Sequence, residues 1–252
     1  MATIEEVINY WNSRPCNIRH SNKEVGTKAY FDEVRERKYI VEPHILEFAD
    51  FKLYQNKKVL EVGCGIGTAG QSFIENGAIY RGIDISEKSI DIAQIRANVF
   101  NLNGEFLVNN IEDYLSEKKF DLVYSFGVLH HTPNIRKAIN NIYNLLEDGG
   151  EFKLMLYAKN SLKMFKINDG LDQYEAQSGV PIADTFTNDE IHDLLKDFKN
   201  INIRQTHIFP YKIDEYKAYK YIKEEYFECM PVDLFQCLEK NLGWHLCISC
   251  NK

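Results

Sequence analysis

Glu61-Val62-Gly63-Cys64-Gly65-Ile66-Gly67 is the stretch on which the reading of the fold turns. It continues the β-rich run Lys58-Val59-Leu60 and leads into a helical pattern that stops near Gly77. Three glycines at alternate positions between a strand and a helix let bare backbone lie against a ligand while amide donors face it. Such a loop suits a nucleotide or a nucleoside. The spacing Gly65-x-Gly67-x-x-Gly70, with Asp84 downstream as a ribose-binding acid, also satisfies the dinucleotide pattern, so an NAD-dependent oxidoreductase is one reading of the loop. Turn chemistry alone is another.

Outward from the loop, short β-rich runs alternate with helical stretches. Ile79-Tyr80-Arg81-Gly82-Ile83 reads as a second strand, residues 105–109 as a third, Phe120-Asp121-Leu122-Val123-Tyr124-Ser125 as a fourth and residues 152–157 as a fifth. Ser86 caps a helix whose apolar residues Ile92, Ile95 and Val99 recur at helical spacing. Thr132-Pro133 opens another that runs to Glu147 and stops at Asp148-Gly149-Gly150. Strands and helices in this alternation predict a doubly wound sheet with right-handed crossovers and a ligand beyond the strands' carboxyl ends. Thr187-Asn188-Asp189-Glu190 is a capping box for a helix to about residue 199. Residues 201–209 and 243–250 read as the last two strands. The expectation is an α/β, Rossmann-like, seven-stranded sheet, mostly parallel with its last strand antiparallel. An N-terminal helical cap is expected over 1–56 and a core over 57–252, with a helical insertion at about 211–242, in one compact domain.

Taken together, Glu61-x-Gly63-x-Gly65-x-Gly67, Gly82-Ile83-Asp84-Ile85-Ser86, Asn110-Ile111-Glu112-Asp113 and Phe120 through Phe126-Gly127-Val128-Leu129-His130-His131 resemble, in order and spacing, the motifs of the class I S-adenosylmethionine-dependent methyltransferases. The resemblance covers residues 57–158 most specifically. It implies S-adenosyl-L-methionine as cofactor and S-adenosyl-L-homocysteine as product, held by Glu61, Gly63, Cys64, Gly65, Gly67, Asp84, Ile85, Asn110, Ile111 and Phe126. Asn110 stands where the family often carries Asp; its amide oxygen can accept a bond from the adenine amino group without charge. The segment Trp11-Asn12-Ser13-Arg14-Pro15-Cys16-Asn17-x-Arg19-His20-Ser21, with Tyr30-Phe31-Asp32 and Val41-Glu42-Pro43-His44, resembles the N-terminal cap of methyltransferases from bacterial surface-polysaccharide clusters. That likeness extends to Ser178-Gly179-Val180-Pro181 and His207-Ile208-Phe209-Pro210-Tyr211. It implies an O-methyltransferase of capsule biosynthesis acting on a small polar acceptor, anionic or nucleotide- or sugar-linked, of which a phosphoramidate oxygen is the narrowest form.

A sulfonium methyl is already electrophilic, so such an enzyme must mainly align a nucleophile behind it, an effect that supplies roughly 7 to 11 kcal/mol. A base is needed only for a protonated nucleophile. For a hydroxyl acceptor, His131 is the candidate base, with His130 and Tyr157 beside it among the catalytic candidates. For an anionic oxygen, cations matter instead. The segment Trp11 to Tyr30 carries Arg14, Arg19, Lys23 and Lys28 against Glu24, a local charge of +3 (4 − 1). Arg14, Arg19, His20, Tyr30 and His207 are the acceptor-binding candidates, arginine being suited to bidentate phosphate contacts. N-methylation of a small amine is the alternative, and would call for acids in the acceptor pocket.

Thirty basic against 37 acidic residues leave the 252-residue chain at −7, a field that does not concentrate nucleic acid. The Asn/Asp-Pro-Pro-Tyr/Phe motif of base-modifying methyltransferases is absent where Gly127-Val128-Leu129-His130 stands. No apolar run approaches the roughly 20 residues of a membrane helix. Residues 1–6 lack the basic-then-apolar order of a signal peptide. A cytoplasmic protein, monomeric or homodimeric, with a small-molecule partner and neither nucleic acid nor membrane, is the expectation. Six scattered cysteines argue for reduced thiols. Cys247 and Cys250 form a lone C-x-x-C on a strand, which points them to opposite faces, and no metal is expected there or elsewhere in the chain.

Overall fold

The computed structural model describes residues 2–170 and 179–252. Helices α1 (Ile4–Ser13), α2 (Lys28–Val41) and α3 (His44–Ala49) precede the first strand. Then come β1 (Lys58–Val62), α4 (Thr68–Glu75), β2 (Ile79–Asp84), α5 (Glu87–Val99), β3 (Gly104–Val108), β4 (Phe120–Phe126), α6 (Ile135–Leu145) and β5 (Leu146–Ala158). The chain continues through α7 (Leu162–Asn168), β6 (Thr185–Phe186), α8 (Asn188–Leu194) and β7 (Lys199–Thr206). It ends with α9 (Ile213–Lys217), α10 (Glu225–Glu228), α11 (Val232–Leu242) and β8 (His245–Asn251).

The strands form one sheet in the order β3-β2-β1-β4-β5-β8-β7. β1 to β5 are mutually parallel and β8 runs antiparallel to both β5 and β7. This is the α/β, doubly wound arrangement expected, with one addition: the two-residue β6 pairs in parallel with the end of β5, Tyr157 opposite Thr185. From β1 the chain builds outward to β2 and β3, then returns to the other side of β1 with β4, so the strand order reverses between β1 and β4. A crevice opens beyond the strand ends at such a point.

Both faces of the sheet are covered, which is why the strands read as near-continuous apolar runs. Val59, Leu122 and Tyr124 pack with Ile45, Phe73 and Ile90 on one face; Leu60, Val123 and Leu154 pack with Ile139, Ile142 and Ile191 on the other. The glycine turn and the start of α4 rest on a buried arginine that pattern reading does not single out. Arg96 of α5 donates to the Ile66 carbonyl (2.8 Å), Gln71 Oε1 (2.9 Å) and Thr68 Oγ1 (3.1 Å), and its guanidinium lies 4.5 Å from the Phe31 ring centre.

Several boundaries differ from the sequence reading for visible reasons. The helix expected from Thr132-Pro133 starts at Ile135, because Leu129–His131 forms a 3-10 turn and Asn134 caps the Lys137 amide. Asp148-Gly149-Gly150 belongs to β5, whose ladder is irregular there, rather than to a helix stop. β7 ends at Thr206 because the next residue, His207, adopts a left-handed backbone (φ 71°) that turns the chain out of the sheet. The expected insertion is three short helices, and its first turn is tied to α2: Arg37 stacks over Tyr216 (3.8 Å) and Tyr219 (4.4 Å) and donates to the Tyr216 carbonyl (2.6 Å). Tyr219 in turn donates to the Arg19 carbonyl (3.0 Å), so the N-terminal helices and the insertion are joined above the sheet.

Candidate active site

The glycine turn lies between the end of β1 and α4. The amides of Gly63 (2.7 Å) and Cys64 (3.0 Å) both donate to the Ile83 carbonyl, and the Gly65 amide donates to Asp84 Oδ2 (2.8 Å). Asp84 Oδ1 accepts from the Ser86 amide (2.8 Å), so one carboxylate ties the turn to the start of α5. Burial pushes the Asp84 carboxyl upward against these bonds. Gly63 has φ 73°, and a Cβ there would stand 2.2 Å from Val128 Cγ2. Gly65 has φ 52° and open space where its Cβ would be.

Beyond these ends lies a cleft with about 1070 Å³ of empty space, its solvent-open mouth included. Glu61, Gly63, Cys64, Gly65, Asp84, Ile85, Asn110, Ile111 and Phe126 line it; Gly67 does not, serving instead to close the turn through its amide on the Cys64 carbonyl (3.0 Å). Trp11, Val7 and Ile4 of α1 form its roof. α1 is anchored over α5 by Asn12, whose Oδ1 accepts from the Ser86 hydroxyl (2.9 Å). Glu61 is buried, and burial raises its carboxyl to about 7 although Tyr80 donates to it at 2.5 Å. The Asn110 amide oxygen already accepts from the Glu112 amide (3.0 Å), leaving one lone pair for a ligand.

A second cavity adjoins the first. Cys16, Asn17, Lys38, Phe126 and Gly127 line both. Its further walls carry the cations Lys163 and Lys166, the aromatics Tyr157 and Trp244, and Glu42, His20, His207 and His245. Burial works against the charge of Lys38, but Glu42 and other nearby acids outweigh it and raise the ammonium above its ordinary value. His44 Nε2 and His245 Nδ1 are 2.9 Å apart, and the His207 ring stacks on His245 at 4.5 Å. Burial holds all three rings neutral, His44 down to about 3 and the other two well below the usual histidine range.

The candidate residues therefore separate. His131 lines the first cavity, not the second; its Nδ1 faces the Ile182 carbonyl at 2.5 Å, an atom that can only accept, so the lone pair sits on Nε2. Burial lowers it to about 4, which makes it a weak proton acceptor. His130 lines neither cavity: it is fully buried against Tyr157 (3.7 Å), and neither ring nitrogen has a hydrogen-bond partner among the described residues. Tyr157, His20 and His207 line the second cavity. Arg14, Arg19 and Tyr30 line neither; the Tyr30 hydroxyl instead donates to the Ile18 carbonyl (2.9 Å) inside the cap. The +3 segment thus contributes Cys16, Asn17 and His20 to the second cavity rather than its basic groups, since Lys28 pairs with Asp32 on the surface. Ser178, part of the extended resemblance, lies outside the described residues. Lys38, Lys163, Lys166 and His245 escaped the sequence reading because they lie on three elements distant in sequence, and only Lys163 and Lys166, three residues apart on α7, share one. Glu42 and His44 stood within a motif quoted only for its likeness.

Comparison with known proteins agrees with this geometry. The α/β sheet is that of the class I S-adenosylmethionine-dependent methyltransferase fold. Residues 60–152 match the model of a methyltransferase domain. The ubiquinone biosynthesis O-methyltransferase of Coxiella burnetii is 30% identical over 115 residues, covering 45% of this chain and 49% of that protein. Its namesake in Glaesserella parasuis is 35% identical over 100 residues, covering 37% and 42%. The chain thus matches under half the length of these curated relatives. Among solved structures, a magnesium protoporphyrin IX methyltransferase from Synechocystis PCC 6803 with bound SAH aligns over 99% of this chain and all of that one, with TM-score 0.63 and 17% identity. A possible histamine N-methyltransferase from Thermotoga maritima aligns over 86% and 93%, with TM-score 0.54 and 17% identity. Among the described residues no helix is long and apolar enough to cross a membrane.

Proposed function

We propose that this chain is an S-adenosylmethionine-dependent O-methyltransferase acting on a small acceptor with an anionic oxygen. The observation that carries the reading is the junction of the two cavities at Phe126, Gly127, Lys38, Cys16 and Asn17. A donor held in the first cavity and an acceptor in the second would meet there, shielded by the cap from bulk water. In the first, Asp84 would face the ribose hydroxyls, Asn110 and Ile111 the adenine, and Glu61 the cationic end of the methionine. When bound, the cofactor supplies a sulfonium methyl that needs no further activation.

Two features favour an anionic nucleophile. The second cavity presents Lys38, Lys163 and Lys166, a charge pattern for a phosphoryl-like or carboxylate group. His131, neutral and weakly basic, is ill suited to take a proton from a hydroxyl, whereas an oxygen already ionised requires no base. The acceptor we favour is accordingly a phosphorylated or nucleotide-linked small molecule of surface-glycan assembly; its narrowest form, a capsular phosphoramidate oxygen, rests on the sequence resemblance. The same reading takes the protein as a cytoplasmic monomer or homodimer whose partner is a small molecule and not nucleic acid or membrane.

The test is a mass-spectrometric screen for the gain of one CH2 on sugar phosphates, nucleotide-linked sugars, phosphoramidates and small amines with S-adenosylmethionine supplied, beside calorimetric titration of S-adenosylhomocysteine and NADH. S-adenosylhomocysteine should bind and only anionic acceptors should gain mass. Methylated amines alone would replace O- by N-methylation, and binding of NADH without S-adenosylhomocysteine would overturn the donor assignment.

A further inference from the structure

We infer that Glu42, His207 and His245 form a binding site for one divalent transition-metal ion of the zinc class in the wall of the second cavity. Each offers one ligand atom, a carboxylate oxygen and two imidazole nitrogens, and these atoms all lie within 4.8 Å of one another. They come from three places distant in sequence: the end of α2, the turn after β7 and the start of β8. All three line the cavity in which the acceptor is placed, so a bound ion would keep an open coordination position toward it.

The surroundings are those a metal-binding histidine needs. His245 has its second ring nitrogen, Nδ1, engaged by His44 Nε2 at 2.9 Å, which fixes its orientation and leaves Nε2 directed toward Glu42 Oε1, 3.7 Å away. His207 and His245 are both over nine-tenths buried, their ring centres 4.5 Å apart. Ligands around a tetrahedral zinc stand roughly 3.4 Å apart, given bonds of about 2.0 to 2.1 Å, so the three atoms must draw together by about an ångström. The Glu42–His245 pair, at 3.7 Å, is already near that spacing, so any larger gap is one to His207. The charge of Glu42 also acts on the Lys38 ammonium. Two nitrogens and one carboxylate are a donor set for zinc, cobalt or iron rather than magnesium or calcium, which prefer oxygen.

This inference rests on the methyltransferase reading only for the ion's task, which is to hold the acceptor's anionic oxygen beside Phe126 together with Lys163 and Lys166. The ion-binding claim stands separately and is tested without turnover. Full-length protein, freed of any affinity tag and treated with chelator, is titrated with Co²⁺ and followed by its visible absorption, with Zn²⁺ competition and metal analysis after dialysis. One equivalent should bind, and His207→Gln and His245→Gln should each weaken binding at least tenfold while leaving S-adenosylhomocysteine affinity within twofold, a control that they remain folded. Cys247→Ser should leave Co²⁺ binding unchanged. Absence of stoichiometric Co²⁺ binding, or binding unaffected by both histidine variants, would overturn the site. Failure to bind S-adenosylhomocysteine with Co²⁺ binding intact would instead overturn the methyltransferase reading.

Discussion

The neighbouring glycines Gly63 and Gly65 separate packing from binding. Gly63→Ala would bring a methyl group within 2.2 Å of the Val128 side chain in a backbone region unfavourable to alanine, so we expect loss of stability on the order of 3 kcal/mol in urea denaturation. Gly65→Ala meets nothing, and its new methyl group enters space beside the cleft; it should lose about 1 kcal/mol of stability but weaken S-adenosylhomocysteine at least tenfold by calorimetry. Glu61 gives a pH dependence whose sign is set by burial. Its carboxyl, raised to about 7 from an ordinary 4.5, is held protonated in the fold when the unfolded chain has already released the proton. Stability from the neutral form is therefore complete below about 4.5 and lost as pH rises through about 7. Without cofactor, wild type should lose on the order of 3 kcal/mol more than Glu61→Gln between pH 5 and 8, measured by urea midpoints; equal losses would refute the raised carboxyl.

At the scale of elements, the arginines of α5 and α2 act as fasteners. Arg96→Ala would strand the Ile66 carbonyl, Gln71 and Thr68 without their donor and open space beneath Phe31. A destabilisation on the order of 3 kcal/mol is expected, with faster amide exchange in the glycine turn and the first turn of α4. Arg37→Met should act elsewhere. With the stacking on Tyr216 and Tyr219 gone, residues 211–224 should become the first site cut in limited proteolysis, while S-adenosylhomocysteine affinity stays near wild type. Cap and insertion share these contacts, so the two elements that enclose the second cavity are coupled.

Over the whole molecule, the net charge of −7 conceals a cationic chamber. A small anion that enters the crevice meets three ammonium groups. Lys163→Ala and Lys166→Ala together should raise KM for an anionic acceptor by at least tenfold, and leave the affinity for S-adenosylhomocysteine unchanged, because neither residue lines the first cavity, where the donor is proposed to sit. Higher ionic strength should raise KM in wild type more than in the double variant.

Much of this protein is legible along the chain. The alternation of strand and helix, the glycine turn, the acid at Asp84 and the caps at Ser86 and Thr187 are local, each specified by residues within a few positions of one another, and together they determine the sheet and the first cavity. The second cavity is different in kind. Glu42, His207 and His245 meet only because β8 returns antiparallel between β5 and β7 and because His207 turns the chain out of the sheet. The same topology carries Lys38 and Lys163 to a common wall. His131 and Arg14, prominent in the sequence, are displaced from that wall by a backbone carbonyl and by the course of the cap. Short-range periodicity records which face of an element is buried; it holds no record of which distant side chains burial brings together, and that is what tertiary packing alone decided.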